Sequence, residues 1–329
     1  MSTLADKPYT TNFNVNSIPL SRVLEANYDV AFLGCGYESR STHIASRIDH
    51  SKADNILTLA HEKNRNDTFY YNKDFLNNVS DEFVTVSTPT ENEIYNILNK
   101  YRDKNSLKVL VDYSSMSKYW YNGILKWSEI STQESKAHPD SDTNTQEVLV
   151  DFVYSVGSYQ EDFEPLTIGE ITPLPGRDAS HLSQRDSLAV FGLGYDPIVV
   201  ESVYNRIEPD KVFAFLASPG ANSEAADKVE SDNRFFIEDH VDGNPLSLPL
   251  KDIPRTCAHL RELVLPYLEE FYVMIISLGP KPHVLSSLLT CMKYPKYISC
   301  LSVTGDRKNP VNVKAEGDVV CTRVFLRNK

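Results

Sequence analysis

Three hydroxyls and one ammonium crowd into five positions, Ser114-Ser115-Met116-Ser117-Lys118, directly after the apolar run Val109-Leu110-Val111. At the turn between a strand and a helix, such a set offers hydrogen-bond donors and a positive charge to an anionic or carbonyl-bearing ligand. A second segment, Ser277-Leu278-Gly279-Pro280-Lys281, follows the apolar run Val273-Met274-Ile275-Ile276 and keeps the first serine and the lysine. The competing use of these residues is structural, with Ser117 or Ser277 capping a helix and the lysine solvated. Recurrence of the lysine at nearly the same distance from two strands favours the ligand.

Two earlier segments carry paired glycines, Gly34-Cys35-Gly36-Tyr37-Glu38 and Gly192-Leu193-Gly194-Tyr195-Asp196. Lacking a Cβ, a glycine lets backbone amides approach a phosphate or base closely, and a strand leading into a helix N-terminus is where that happens. A turn after a strand also uses glycine for conformational reasons alone. Glu38 and Arg40 are either ligand contacts or a surface ion pair, and the second copy has Asp196 and Ile198 in their place. Ser218, in Ser218-Pro219-Gly220, ends a strand where a nucleotide sugar lies in a dinucleotide-binding fold, while His61-Glu62 hold the equivalent place earlier. Cys35 reads as a small residue in a tight turn, the alternative being a thiol whose pKa a helix N-terminus lowers.

These segments are landmarks of an internal repeat. Ile56–Ala60 matches Val212–Ala217, and Phe152–Gly157, with Gly169 twelve positions on, matches Ile298–Gly305, with Gly317 twelve positions on. Short runs rich in Val, Ile and Phe alternate with stretches of helical period, the pattern of βαβ units around parallel sheets. Strands apolar at nearly every position, at 30–33, 109–111, 188–191 and 272–276, suit sheets covered on both faces. Helices are predicted at 38–48, 90–102, 117–130, 197–206, 222–230, 254–269 and 281–292, with Thr90-Glu91-Asn92-Glu93 as a capping-box start. The expected organisation is an arm over 1–27, a Rossmann-like copy over 28–173 with a mobile loop at 131–147, a linker over 174–186, and a second Rossmann-like copy over 187–329.

Composition narrows the function. A chain of 329 residues suits two domains. Its net charge of -12 argues against coating duplex nucleic acid, which depends on clustered Lys and Arg. No apolar stretch approaches a membrane span and the polar start lacks a signal peptide, so cytoplasmic residence is expected. The five cysteines follow neither a zinc nor a disulfide spacing and read as reduced thiols; the eight histidines show no H-E-x-x-H pattern, so no metal is expected. Nucleophile-elbow and P-loop signatures are absent from the sequence. Leu33-Gly34-Cys35-Gly36 is similar to the first motif of Rossmann-type methyltransferases, but Glu38 stands where a small residue belongs.

A glycine turn after an early strand, paired with a small or polar turn and lysine after a later one, resembles the two ligand-contact motifs of CARF domains. SAVED domains look like two CARF units fused in one chain, and both are Rossmann-like sensors of prokaryotic antiphage defence. The resemblance covers most of residues 28–326 and implies an internal pseudo-dimer that binds a nucleotide or cyclic oligonucleotide across its copies and controls a separate effector protein. It departs from the family pattern at Ser114-Ser115-Met116-Ser117, where a glycine-rich turn is usual, and no effector domain is attached. Two other readings stand beside it: a Rossmann-fold enzyme acting on a nucleotide or using S-adenosylmethionine or a dinucleotide, and a scaffold subunit with vestigial pockets. No resident cofactor is expected for the sensor. The implied ligand-binding set is Gly34, Gly36, Tyr37, Glu38, Arg40, Ser114, Ser115, Ser117 and Lys118 in the first copy, with Gly192, Gly194, Tyr195, Ser218, Ser277, Gly279 and Lys281 in the second.

Overall fold

The computed structural model describes residues 12–62, 65–134, 147–158, 166–306 and 311–327. They form two α/β units, one running from Asn12 to Ser158 and taking in the described residues after 310, the other comprising the described residues from 166 to 306. In spatial order the first sheet is β1 (Phe13–Ser17), β13 (Ala315–Arg327), β6 (Glu147–Gly157), β5 (Ser106–Asp112), β2 (Val30–Cys35), β3 (Ile56–His61) and β4 (Glu82–Val86). The second is β7 (Thr167–Pro173), β12 (Ile298–Asp306), β11 (Tyr272–Ser277), β8 (Ser187–Gly192), β9 (Lys211–Ala217) and β10 (Leu246–Leu248). From β6 to β4, and from β12 to β10, all pairings are parallel. Both units are thus Rossmann-like, with one strand order repeated. The central strands β2 and β8 are buried along nearly their whole length, as a doubly covered sheet requires.

The copies exchange their last strands. The sequence places 167–173 at the end of the first copy and 315–327 at the end of the second. In the structure β7 pairs antiparallel with β12, and β13 pairs antiparallel with β6. Each sheet is completed by a strand from the other repeat, so the boundaries expected at 173 and 187 do not coincide with the units. Local pattern specifies that a strand exists and which face is apolar, but its pairing partner is a long-range choice.

The expected arm and linker are both packed. Within the arm, β1 pairs with β13 and α1 (Leu20–Glu25) buries Val23. In the linker, Leu174, Arg177 and Ala179 are almost fully buried, Leu174 N–H donates to Cys300 O, and Cys300 N–H donates to Arg177 O.

The other helices are α2 (Asp67–Val79), α3 (Asn92–Leu98), α4 (Lys118–Glu134), α5 (Pro197–Ile207), α6 (Ser223–Asp232), α7 (Arg234–His240), α8 (Ile253–Val264) and α9 (Lys281–Lys293). Thr90 and Glu93 form the expected box: Glu93 accepts from the Thr90 amide at 2.8 Å and its hydroxyl at 2.9 Å, while Thr90 Oγ1 accepts from the Asn92 amide at 3.2 Å. The helix expected at 38–48 is replaced by a 3-10 turn, Ser39–Thr42, followed by turns. Of the loop expected at 131–147, residues 131–134 finish α4, Glu147 opens β6, and 135–146 lie outside the described residues. Among the described residues no helix is long and apolar enough to cross a membrane.

Candidate functional site

Parallel strands deliver their carboxyl ends to one edge of a sheet, and in each unit the two central strands end in turns that touch there. Glycine is what permits the contact. A Cβ on Gly34 would lie 2.7 Å from the Met116 amide nitrogen, and one on Gly36 would lie 2.9 Å from the Ser115 Cβ. In the second unit the missing Cβ of Gly194 faces the Leu278 carbonyl, and that of Gly279 lies 2.6 Å from the Leu193 carbonyl oxygen. Real Cβ atoms do not approach so closely, so these glycines join the turn after β2 to the turn after β5, and the turn after β8 to the turn after β11. The space left by their missing Cβ atoms is filled by protein. Gly192 is likewise packed, its Cβ direction lying 2.6 Å from the Phe215 ring.

Several expected ligand contacts are engaged within the protein. Ser41 Oγ accepts from the Gly36 amide at 3.0 Å and donates to Gly34 O at 2.7 Å, locking the first glycine turn. Ser114 is fully buried; its hydroxyl donates to Asp112 Oδ1 at 2.6 Å and accepts from the Ser155 amide at 2.8 Å. Ser277 Oγ lies 2.5 Å from Ser287 Oγ. Arg40 is buried, with Nε donating to Glu38 at 2.7 Å and Nη1 donating to the Tyr154 hydroxyl at 2.8 Å. Burial alone would lower its pKa, but Tyr154 and Glu38 together hold it above the usual value. Glu38 and Arg40 are therefore a structural pair anchoring the 3-10 turn. Cys35 follows the bland reading: burial pushes its thiol up to about 12, far from reactive at neutral pH.

Tyr37, Ser115, Ser117, Lys118, Tyr195, Ser218 and Lys281 remain partly exposed near the strand ends. Tyr37 and Tyr195 rest on the cores of their units. The Ser115 Oγ is covered and has no hydrogen-bond partner among the described residues. Among the described residues Ser117 Oγ accepts a long 3.4 Å bond from the Tyr119 amide.

The two lysines need a finer comparison than sequence allows. Leu33 pairs with Asp112 and Gly192 with Ser277, so superposing Gly34 on Gly192 puts Ser277 in the place of Tyr113 and Lys281 in that of Ser117. The sequence match of Ser277 to Ser114 is thus one residue out of register. What the copies share is a helix position, since Lys118 opens α4 and Lys281 opens α9. Neither first turn contains an acidic residue. A cation at a helix N-terminus opposes the macrodipole by about 0.3–1 kcal/mol, so both copies keep a charge that the helix itself disfavours.

One repeated residue escapes the sequence reading. Asn72, on α2, donates through Nδ2 to the carbonyls of Gly36 at 2.9 Å and Glu38 at 2.8 Å. Asn233, at the start of α7, donates to the carbonyls of Gly194 at 2.9 Å and Val229 at 2.7 Å. Both side chains are buried and both Oδ1 atoms lack a partner among the described residues. An orphaned buried acceptor costs about 1–3 kcal/mol, and this one is present in each copy to brace a glycine turn. No motif marks these asparagines; only their equal placement relative to the glycines does. Among the described residues no three His, Cys, Asp or Glu side chains are grouped to hold a metal ion. No protein-family model and no curated protein matches the chain.

Proposed function

We propose that this chain is a nucleotide-sensing module that binds a nucleotide or cyclic oligonucleotide at the carboxyl ends of its central strands and regulates a separate effector protein. The observation that supports it is the repeated lysine opening the crossover helix, against the macrodipole, beside a glycine-joined pair of turns. A bound phosphate places its negative charge beside each ammonium, at the positive end of the helix. Tyr37 and Tyr195, both partly exposed, offer ring surface to a base. The resemblance to CARF and SAVED sensors favours a cyclic oligonucleotide and a role in antiphage defence.

A thermal-shift screen of cyclic oligonucleotides, mononucleotides, NAD and S-adenosylmethionine tests the reading. A ligand at one hundred times its dissociation constant stabilises the fold by about 2.7 kcal/mol. Stabilisation by a cyclic oligonucleotide that disappears in Lys118→Ala/Lys281→Ala supports the sensor. Stabilisation by S-adenosylmethionine or NAD instead points to the enzyme, and no stabilisation by any of them removes the proposal.

A further inference from the structure

A second polar site lies at the other end of the first unit, near the amino ends of β2, β5 and β6. There a cavity of about 320 Å³ is lined by Arg22, Lys108, Arg323, Asp151, Tyr28 and Leu149, with Glu25, Ala26 and Asn27 beside them. Its size is at the lower end for small-molecule sites. Asp151 is fully buried, and Arg323, directly opposite it on the β13–β6 ladder, clamps it with two 2.7 Å bonds from Nε and Nη2. The Tyr28 hydroxyl donates to the same carboxylate at 2.8 Å. Burial, and then Asp151, push the Tyr28 pKa up, so the phenol keeps its proton and its donor role.

The repeat supplies a control. Leu110 pairs with Asp151 and Met274 with Ser299, so Ser299 is the equivalent residue of the second unit. It is also fully buried, but neutral: its Oγ accepts from the Tyr272 hydroxyl at 3.0 Å and from the Ala179 amide at 2.8 Å, and the segment Leu174–Ala179 packs there. The fold therefore does not need a carboxylate at this position. Burying a charge pair where a serine suffices carries a desolvation cost that stability does not return. In the first unit the pair borders a cavity instead of a packed segment.

We infer that this cavity binds a small molecule carrying one phosphate or carboxylate on an apolar body. With Asp151 offset by Arg323, the lining retains Arg22 and Lys108 against Glu25, a net positive charge in a chain of net charge -12. Arg22 and Lys108 are exposed at the rim and take the anion, the guanidinium of Arg323 is held in a fixed orientation by Asp151, and Leu149 and Ala26 meet the apolar body.

The test is a titration of the full chain, followed by amide NMR shifts, with phenyl phosphate, benzoate and inorganic phosphate. Phenyl phosphate or benzoate is expected to shift residues around Tyr28, Lys108 and Leu149 and to bind more tightly than inorganic phosphate. Arg22→Ala/Lys108→Ala, two exposed positions, is expected to weaken that binding by about tenfold or more, the loss of one to two charge-assisted bonds. Lys118→Ala/Lys281→Ala, at the strand-end site, is expected to leave it unchanged. No shift with any probe at millimolar concentration, equal affinity in Arg22→Ala/Lys108→Ala, or loss on removing Lys118 and Lys281 instead would each overturn the inference.

Discussion

The first and second units share one strand order and one way of joining their central turns, yet they fill equivalent positions with different chemistry. Where the first has Asp151 clamped by Arg323 beside a cavity, the second has Ser299 held by Tyr272 and a backbone amide. Where the first joins its turns through the side chain of Ser115 against Gly36, the second presses Gly194 against the Leu278 backbone. The asparagine under the glycine turn and the lysine opening the crossover helix are common to both. Features found in one unit alone have been specialised.

The comparison can be broken most forcefully at Asp151. Asp151→Ala leaves the Tyr28 hydroxyl and the partly exposed Arg323 without their shared partner and is expected to cost about 1–3 kcal/mol in urea unfolding. Asp151→Ser with Arg323→Thr replaces the charge pair with neutral hydroxyls, as the second unit does with Ser299, and is expected to recover most of that loss. If the double variant is as unstable as Asp151→Ala, the two positions are not interchangeable.

A pH effect of similar size comes from the second unit. His283 is fully buried on α9 beside the Phe215 ring, and burial pushes its pKa down from 6.5 to about 4. The unfolded chain then takes up the proton first, so this contribution to stability is complete above pH 6.5 and is lost as the pH falls toward 4. The loss amounts to about 3 kcal/mol between those limits. Denaturant unfolding of His283→Leu across the same range is expected to show a correspondingly flatter profile, and an unchanged slope would remove the assignment.

Glycine replacements separate the units next. Gly194→Ala drives a methyl into the Leu278 carbonyl and is expected to cost about 2–3 kcal/mol, whereas Gly36→Ala meets the Ser115 Cβ, which moves only with its backbone, and is expected to cost about 1–2 kcal/mol, both read from the urea midpoint. The smallest effect is expected at Lys118 and Lys281, partly exposed residues whose replacement by alanine is expected to change stability by less than about 1 kcal/mol each. Lost binding with so small a change in stability is the pattern of a residue kept for function.

Much of this was legible in the residues. The repeat, the parallel strands and the helices α4, α5 and α9 follow from apolar runs and period, and the segments at Gly34, Ser114, Gly192 and Ser277 do gather at strand ends. The helix α2 was missed because Asn72 occupies one of its buried positions, so the apolar stripe marked by Phe69 and Leu76 is broken. The exchange of β7 and β13 was invisible because each strand satisfies the same local pattern on either sheet. The register of the lysines was out by one because loop length, which the ladders reveal, is not fixed by composition. Asp151 and Arg323 lie 172 positions apart, and nothing local announces their pairing.

The central claim is that both lysine-bearing turns bind an anionic nucleotide ligand. Isothermal titration of the best-stabilising ligand from the screen into the intact protein, Lys118→Ala and Lys281→Ala tests it most directly. Each single variant is predicted to bind about tenfold or more weakly while melting within a few degrees of the parent. Unchanged affinity in either variant would contradict the account, because the turn it belongs to would then take no part in recognition.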